Sequence, residues 1–220
     1  MAVNLNPDDF IITRKRKLYK FALFANSPLC FEVEQWQTTL PTDVLELGAG
    51  TGLFGVSLAE HAPASHVLAV DVKADRLQTG AQQALEKKLT NIHFLRARAD
   101  QLLELLPVHS LQKVWVTFPD PFPKERSAKN RLTHPKFLAV YQTLLASGGE
   151  LYFKTDAVDL FTWSLEQLVR EGWRIDELSF DLHGSDLPDD YKVMTTYETR
   201  YTGEGLSIHF VRAVPPIATV

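Results

Sequence analysis

Short apolar runs that end at a glycine or an acid alternate along this chain with longer stretches whose apolar residues recur every three or four positions. The short runs predict strands at Asp43–Leu47, His66–Val70, Ile92–Leu95, Lys113–Phe118 and Glu150–Lys154. Between them, helical spacing is read after Leu53 (with Val56 and Leu58), over Ala74–Lys88, briefly over Asp100–Leu106, and over Pro135–Leu145. Val158–Glu171 carries Leu160, Phe161, Leu165, Leu168 and Val169 at the helical period, with Gly172 as its stop. Trp173–Leu182 and Leu206–Val211 read as two final strands separated by a polar loop. Repeated strand–helix alternation followed by a strand pair predicts a doubly wound α/β fold around a mostly parallel, seven-stranded sheet. Ligands of such sheets lie at the carboxyl ends of the strands. Glu46, Asp71, Asp120 and Asp156 all fall at strand ends.

The first strand runs into Gly48-Ala49-Gly50-Thr51-Gly52 and then a helix, an arrangement that lets a ligand approach the backbone. Asp71 closes the next strand, about twenty residues on, where a Rossmann-like sheet presents a ribose ligand. A pyrophosphate cofactor wants the G-x-G-x-x-G spacing and no nearby negative charge. Here the third glycine comes early, at Gly52, and Glu46 sits two residues before Gly48. A carboxylate there suits a cationic ligand, such as the amino or sulfonium end of S-adenosylmethionine.

The strand Lys113–Phe118 leads into Phe118–Leu132, FPDPFPKERSAKNRL. Pro119, Pro121 and Pro123 alternate with Asp120, Phe122 and Lys124, so the chain leaves the strand as a stiff extended loop. Such a loop can hold a carboxylate, a ring and an ammonium in fixed relation. Lys124, Arg126, Lys129 and Arg131 follow with one acid, Glu125, among them. They read either as a solvated charge cluster or as cations that hold phosphates beside a reacting group.

Composition narrows the field. With 220 residues, 45% hydrophobic and 23% charged, the chain suits one well-cored domain. Its net charge of −4 means that any nucleic-acid binding rests on local basic patches. The single cysteine, Cys30, excludes an intrachain disulfide, fits a reducing cytosol and reads as a small buried residue. No run is long enough to span a membrane, and no histidine–cysteine cluster has metal-ligand spacing, so a cytoplasmic protein without a metal is expected. Residues 1–40 form a lead-in with Arg14-Lys15-Arg16-Lys17 and Lys20 in one run, interleaved with and followed by Tyr19, Phe21, Phe24, Phe31 and Trp36. This is either a nucleic-acid arm or a basic aromatic arm packed along the outside of the domain at 41–220. His134, before Pro135, reads as a helix-entry residue.

FPDPFPK with its basic tail, Lys154-Thr155-Asp156, and Thr195-Thr196-Tyr197-Glu198-Thr199-Arg200 together resemble the bacterial tRNA (guanine-N7-)-methyltransferases, within the class I S-adenosylmethionine-dependent enzymes. The resemblance runs from about Val44 to the last strand, which it implies is antiparallel. It implies that Glu46 and Asp71 bind the methionine and ribose parts of the cofactor, and that Asp120, at the cofactor–guanine junction, is catalytic. Its adenine-side contact falls at Ala97, where only backbone could serve, with Asp100 an outside candidate. Lys124, Asp156, Thr195, Thr196, Tyr197 and Glu198 match positions that hold the substrate. Arg126, Ser127, Ala128, Lys129, Asn130 and Arg131 match the RNA-contacting segment. The sequence departs from the family at Phe122, Ser127 and Asn130, where a tryptophan, a histidine and a further basic residue are usual. The implied reaction is methyl transfer to guanine N7 in the variable loop of tRNA by a monomer or homodimer. Asp156 and Glu198 also read as salt-bridge partners of Lys154 and Arg200. Rival readings are a class I methyltransferase acting on a small molecule or protein, a nucleotide-binding or oxidoreductase Rossmann protein, and a non-catalytic RNA-binding module.

Overall fold

A computed structural model describes residues 15–195, 198 and 203–216. It divides into two compact units, residues 1–98 and 99–220. Among the described residues the fold is mixed α/β with eight strands, mostly parallel, and an antiparallel strand near their end.

The first unit comprises α1 (Lys15–Ala25), β1 (Cys30–Glu32), β2 (Val44–Leu47), α2 (Leu53–His61), β3 (Val67–Asp71), α3 (Ala74–Glu86) and β4 (Ile92–Arg96). Its strands lie in the order β1-β4-β3-β2, all parallel. Leu45, Leu68, Ala69, Val70, Ile92, Phe94 and Leu95 are wholly buried. Near-continuous apolar strands of this kind are what a parallel sheet covered on both faces requires. The eighth strand, β1, was not expected. Its three residues lie in the lead-in and pair with β4, Cys30 opposite Phe94. The Cys30 thiol is buried and its pKa is pushed up to about 12 by desolvation, so it is a packing residue and no nucleophile.

Part of the lead-in packs on the first unit. The helix α1 lies on α3, with Ala22 and Phe24 buried and Lys17 paired with Asp75 at 3.5 Å. Phe31 and Trp36 meet edge to face, each also against His93 of β4. Arg14 lies outside the described residues.

The second unit comprises α4 (Leu102–Leu105), β5 (Leu111–Thr117), α5 (Pro135–Leu144), β6 (Leu145–Thr155), α6 (Val158–Arg170), β7 (Arg174–Ser179) and β8 (His209–Val214). Its strand order is β5-β6-β8-β7, with β5 and β6 parallel and β8 antiparallel to both neighbours. The strand β6 begins five residues earlier than its apolar run, because Leu145 already pairs with Leu111 before Lys113 meets Glu150. Gly148, at φ 80°, lets the backbone turn between those two pairings. Trp115 stacks on Tyr152 at 4.4 Å and Tyr191 on Phe210 at 4.9 Å, tying one face of β5, β6 and β8 together. Among the described residues no helix is long and apolar enough to cross a membrane, and no cluster of three or more His, Cys, Asp or Glu could hold a metal ion.

Candidate functional site

In the first unit, Glu46 and Asp71 stand at the carboxyl ends of the paired strands β2 and β3. The amides of Gly48 and Ala49 both donate to the carbonyl of Val70, at 2.9 and 3.0 Å, which pins the glycine turn to β3. Asp71 finishes that turn. Its Oδ2 accepts from the Gly50 amide and its Oδ1 from the Lys73 amide, each at 2.8 Å. A carboxylate has about four lone-pair positions, so these two bonds still leave acceptor capacity for the hydroxyls of a diol.

Glu46 is buried at 1% exposure, and its Oε2 accepts from the Gly55 amide at 2.9 Å. A β-carbon at Gly55 would stand 2.7 Å from that oxygen, so the carboxylate and the first turn of α2 fit only with glycine there. Gly52 sits at φ 70°, and a β-carbon on it would meet Phe94 at 2.6 Å. The helix α3 closes in equally tightly: Gly80 donates to the carbonyl of Thr51 at 2.8 Å. This is a backbone cradle beside a buried carboxyl group. It suits an ammonium or sulfonium group and opposes a pyrophosphate.

In the second unit the strand β5 delivers the proline-rich loop. The amide of Phe118 donates to the carbonyl of Lys154 at 2.9 Å, extending the β5–β6 ladder by one bond. Phe118 has φ 48° and Phe122 has φ 43°. For a bulky L-residue that region costs about 1–2 kcal/mol, and such strain gathers at functional loops. Asp120 lies midway between these two residues and is exposed. The alternating prolines predicted a stiff loop; the two left-handed phenylalanines give it its bend.

Beyond Pro123 the chain forms a 3-10 helix over Glu125–Asn130, entered from Lys124. Ser127 donates through both its amide and its hydroxyl to the Lys124 carbonyl, at 2.9 and 2.7 Å. Lys124, Arg126, Lys129 and Asn130 are exposed, and Ser127 and Ala128 are half-buried. Arg131 behaves differently. It turns back onto the loop, its Nε donating to the carbonyls of Pro121 and Phe122 at 3.2 and 3.3 Å and its Nη2 to that of Phe122 at 3.0 Å. Its guanidinium also lies 4.4 Å from the ring centre of Trp163. His134, the N-cap of α5, accepts from the Lys136 amide, as a helix-entry residue should. Partial burial and the charge of Lys136 lower its pKa.

The strand β6 ends in Lys154, Thr155 and then Asp156, which is half-exposed. Lys154 and Glu198 both have wholly buried side chains and meet at 3.1 Å. Nζ of Lys154 also donates to the Val193 carbonyl at 3.0 Å. Glu198 accepts from the Thr195 amide at 2.7 Å, while the Thr195 hydroxyl accepts from the Glu198 amide at 3.0 Å. Nε2 of His183 lies 3.2 Å from the same carboxylate. Glu198 therefore pairs with Lys154 across the fold.

The family described as "Putative methyltransferase" matches residues 41–211. A tRNA (guanine-N(7)-)-methyltransferase of Brevibacillus brevis is 37% identical over 199 residues, covering 89% of this chain and 92% of the relative. The chain belongs to the tRNA (guanine-N(7)-)-methyltransferase family. Enzymes of the same name from Cytophaga hutchinsonii and Clostridium tetani are each 36% identical, covering 77% of this chain and 78% and 79% of theirs. Among solved structures, the 16S rRNA methyltransferase KamB aligns with TM-score 0.59 at 16% identity, over 84% of this chain and 91% of that one. At that identity the likeness shows the fold alone.

Within this family member the remaining expected site residues are placed as follows. Ala97 is buried, and its amide donates to the Asp71 carbonyl at 3.2 Å, next to the turn that Asp71 organises. Thr195 is buried through its exchange with Glu198. Thr196, Tyr197, Thr199 and Arg200 lie outside the described residues. Sequence reasoning missed three contributors: Gly55 and Gly80 as contact glycines, and Trp163 as the platform for Arg131. Nothing in the pattern of α6 distinguishes Trp163 from any other half-buried aromatic.

Proposed function

We propose that this enzyme transfers a methyl group from S-adenosylmethionine to N7 of a guanine in tRNA, in the variable loop. The observation that carries the reading is an exposed Asp120 on a strained loop, in a chain whose relatives across nearly its full length are tRNA (guanine-N(7)-)-methyltransferases. Chemical cleavage of treated tRNA at 7-methylguanosine tests the position: strand scission in the variable loop is expected, and scission elsewhere would move the target. We assign residues 41–220 to the reaction and the enzyme to the cytoplasm, where mature tRNA is used.

When bound, S-adenosylmethionine supplies an electrophilic methyl group on a sulfonium. Glu46 would hold its cationic amino-acid end, Asp71 its ribose hydroxyls, and the backbone at Ala97 its adenine side. The buried charge of Glu46 and the diol-sized acceptor capacity of Asp71 fit that ligand. Glu46→Ala or Asp71→Ala is expected to weaken its binding by about 1–3 kcal/mol, the usual loss for a charge-assisted hydrogen bond. Titration calorimetry with wild-type affinity in both variants would remove these residues from the site.

Guanine N7 has an in-plane lone pair and no proton, so the protein needs no general base. Its work is orientation and exclusion of water. As the purine acquires positive charge, the Asp120 carboxylate stabilises it and accepts from the N–H edge of the base. Lys124 would oppose that charge at the ring, so it is assigned to a phosphate or to substrate positioning, with Asp156 and the segment 195–198 completing the substrate side. Exposed Arg126 and Lys129, beside Ser127, Ala128 and Asn130, give a net acidic protein its footing on RNA. Arg126→Ala and Lys129→Ala are each expected to lower the log–log salt slope of tRNA binding by about one unit or less. Unchanged slopes across a salt series would mean that these cations are merely solvated.

A further inference from the structure

Four cations follow Asp120, and charge alone makes them interchangeable as phosphate contacts. The geometry separates one of them. Arg131 directs its guanidinium inward, with three donor contacts to the carbonyls of Pro121 and Phe122, the first two residues after Asp120. Its guanidinium carbon lies over the Trp163 ring, 4.4 Å from the centre, and His134 stacks against the same ring at 6.4 Å, 28° from parallel. Thr133 and Ser164 join at 2.6 Å in a buried contact, and Tyr141 donates to the carbonyl of Leu132 at 2.9 Å. The chain just beyond Arg131 is therefore stitched to α5 and α6. At the tip, Phe122 holds the left-handed conformation that a phenylalanine does not keep unaided. The carbonyl that Arg131 grips with two nitrogens is the one belonging to Phe122.

We infer that Arg131 is a positioning residue: bound between Trp163 and the Phe122 carbonyl, it holds the loop in the bent form that presents Asp120. The Phe118 amide, bonded to β6, secures the other end of the five-residue bend. A guanidinium does what an ammonium cannot, since its several fixed donors reach two carbonyls while its carbon lies over an indole. The inference rests on the methyltransferase reading above.

The test is steady-state kinetics on tRNA, with a salt series for tRNA binding, for Arg131→Ala, Arg131→Lys and Trp163→Leu, each checked for a wild-type melting curve. A brace predicts that all three lower kcat by roughly ten- to a hundredfold, as displacement of a reacting group by a fraction of an ångström to about 1 Å does. It also predicts that KM for tRNA and the salt slope stay close to wild type, and that lysine fails to rescue. Trp163→Leu is the sharpest arm, because it changes no charge. A phosphate contact predicts the reverse: a lower salt slope and raised KM in Arg131→Ala, recovery in Arg131→Lys, and no defect in Trp163→Leu. That pattern would overturn the inference. A wild-type enzyme that methylates no tRNA would instead remove the methyltransferase reading itself, so the two failures are distinct.

Discussion

Asp120→Ala is expected to leave a folded, cofactor-binding protein whose turnover falls by two or more orders of magnitude, about 3 kcal/mol or more of barrier. The side chain is exposed, so its removal opens no cavity. What is lost is a fixed negative charge at a ring that becomes cationic. Because N7 carries no proton, the chemical step should be nearly flat with pH from neutral to mildly alkaline. Single-turnover measurements would show this directly. A rate that climbs tenfold per pH unit across that range would indicate a general base and contradict the assignment of Asp120 as an electrostatic stabiliser.

The second large effect concerns stability. Lys154→Met is expected to cost about 3–5 kcal/mol, because it takes a buried ammonium away from the buried carboxylate of Glu198. Both side chains are wholly enclosed, so solvent screening does not reduce the penalty. The Thr195 amide and His183 remain as partners of Glu198 and soften the loss. Removing both charges in Lys154→Met/Glu198→Leu should cost less than the sum of the two single changes, since no buried charge is then orphaned. Urea unfolding of the three variants measures this coupling. A Lys154→Met protein within 1 kcal/mol of wild type would show that the pair contributes little. The pair also fixes Thr195 and Glu198 against β6, which ends one residue before Asp156.

Much of this was legible in the residues. The parallel strands are near-continuous apolar runs, and their ends are marked by acids and glycines, so Glu46, Asp71, Asp120 and Asp156 could be placed before any coordinates. The strand β1 was not legible, because three residues following a run of cations carry no period of their own, and only pairing with β4 makes them a strand. Helix α1 was hidden for a related reason: its basic residues suggest a ligand, whereas Ala22 and Phe24 are what seat it. In the loop, alternating prolines gave stiffness, but not the positive φ of Phe118 and Phe122. Lys154 and Glu198 are 44 residues apart, and the sequence allowed each a different role until their burial made them one unit. Arg131 shows the limit of counting charges. Four cations in a row look alike as letters, and only one has its donors turned toward the loop.

The most direct test is nucleoside analysis of unmodified tRNA incubated with the purified enzyme and S-adenosylmethionine labelled in its methyl group. The account predicts label in 7-methylguanosine, and its near absence when Asp120→Ala replaces the wild type. Label in another nucleoside, or none in tRNA while a small molecule or protein is labelled, would contradict it.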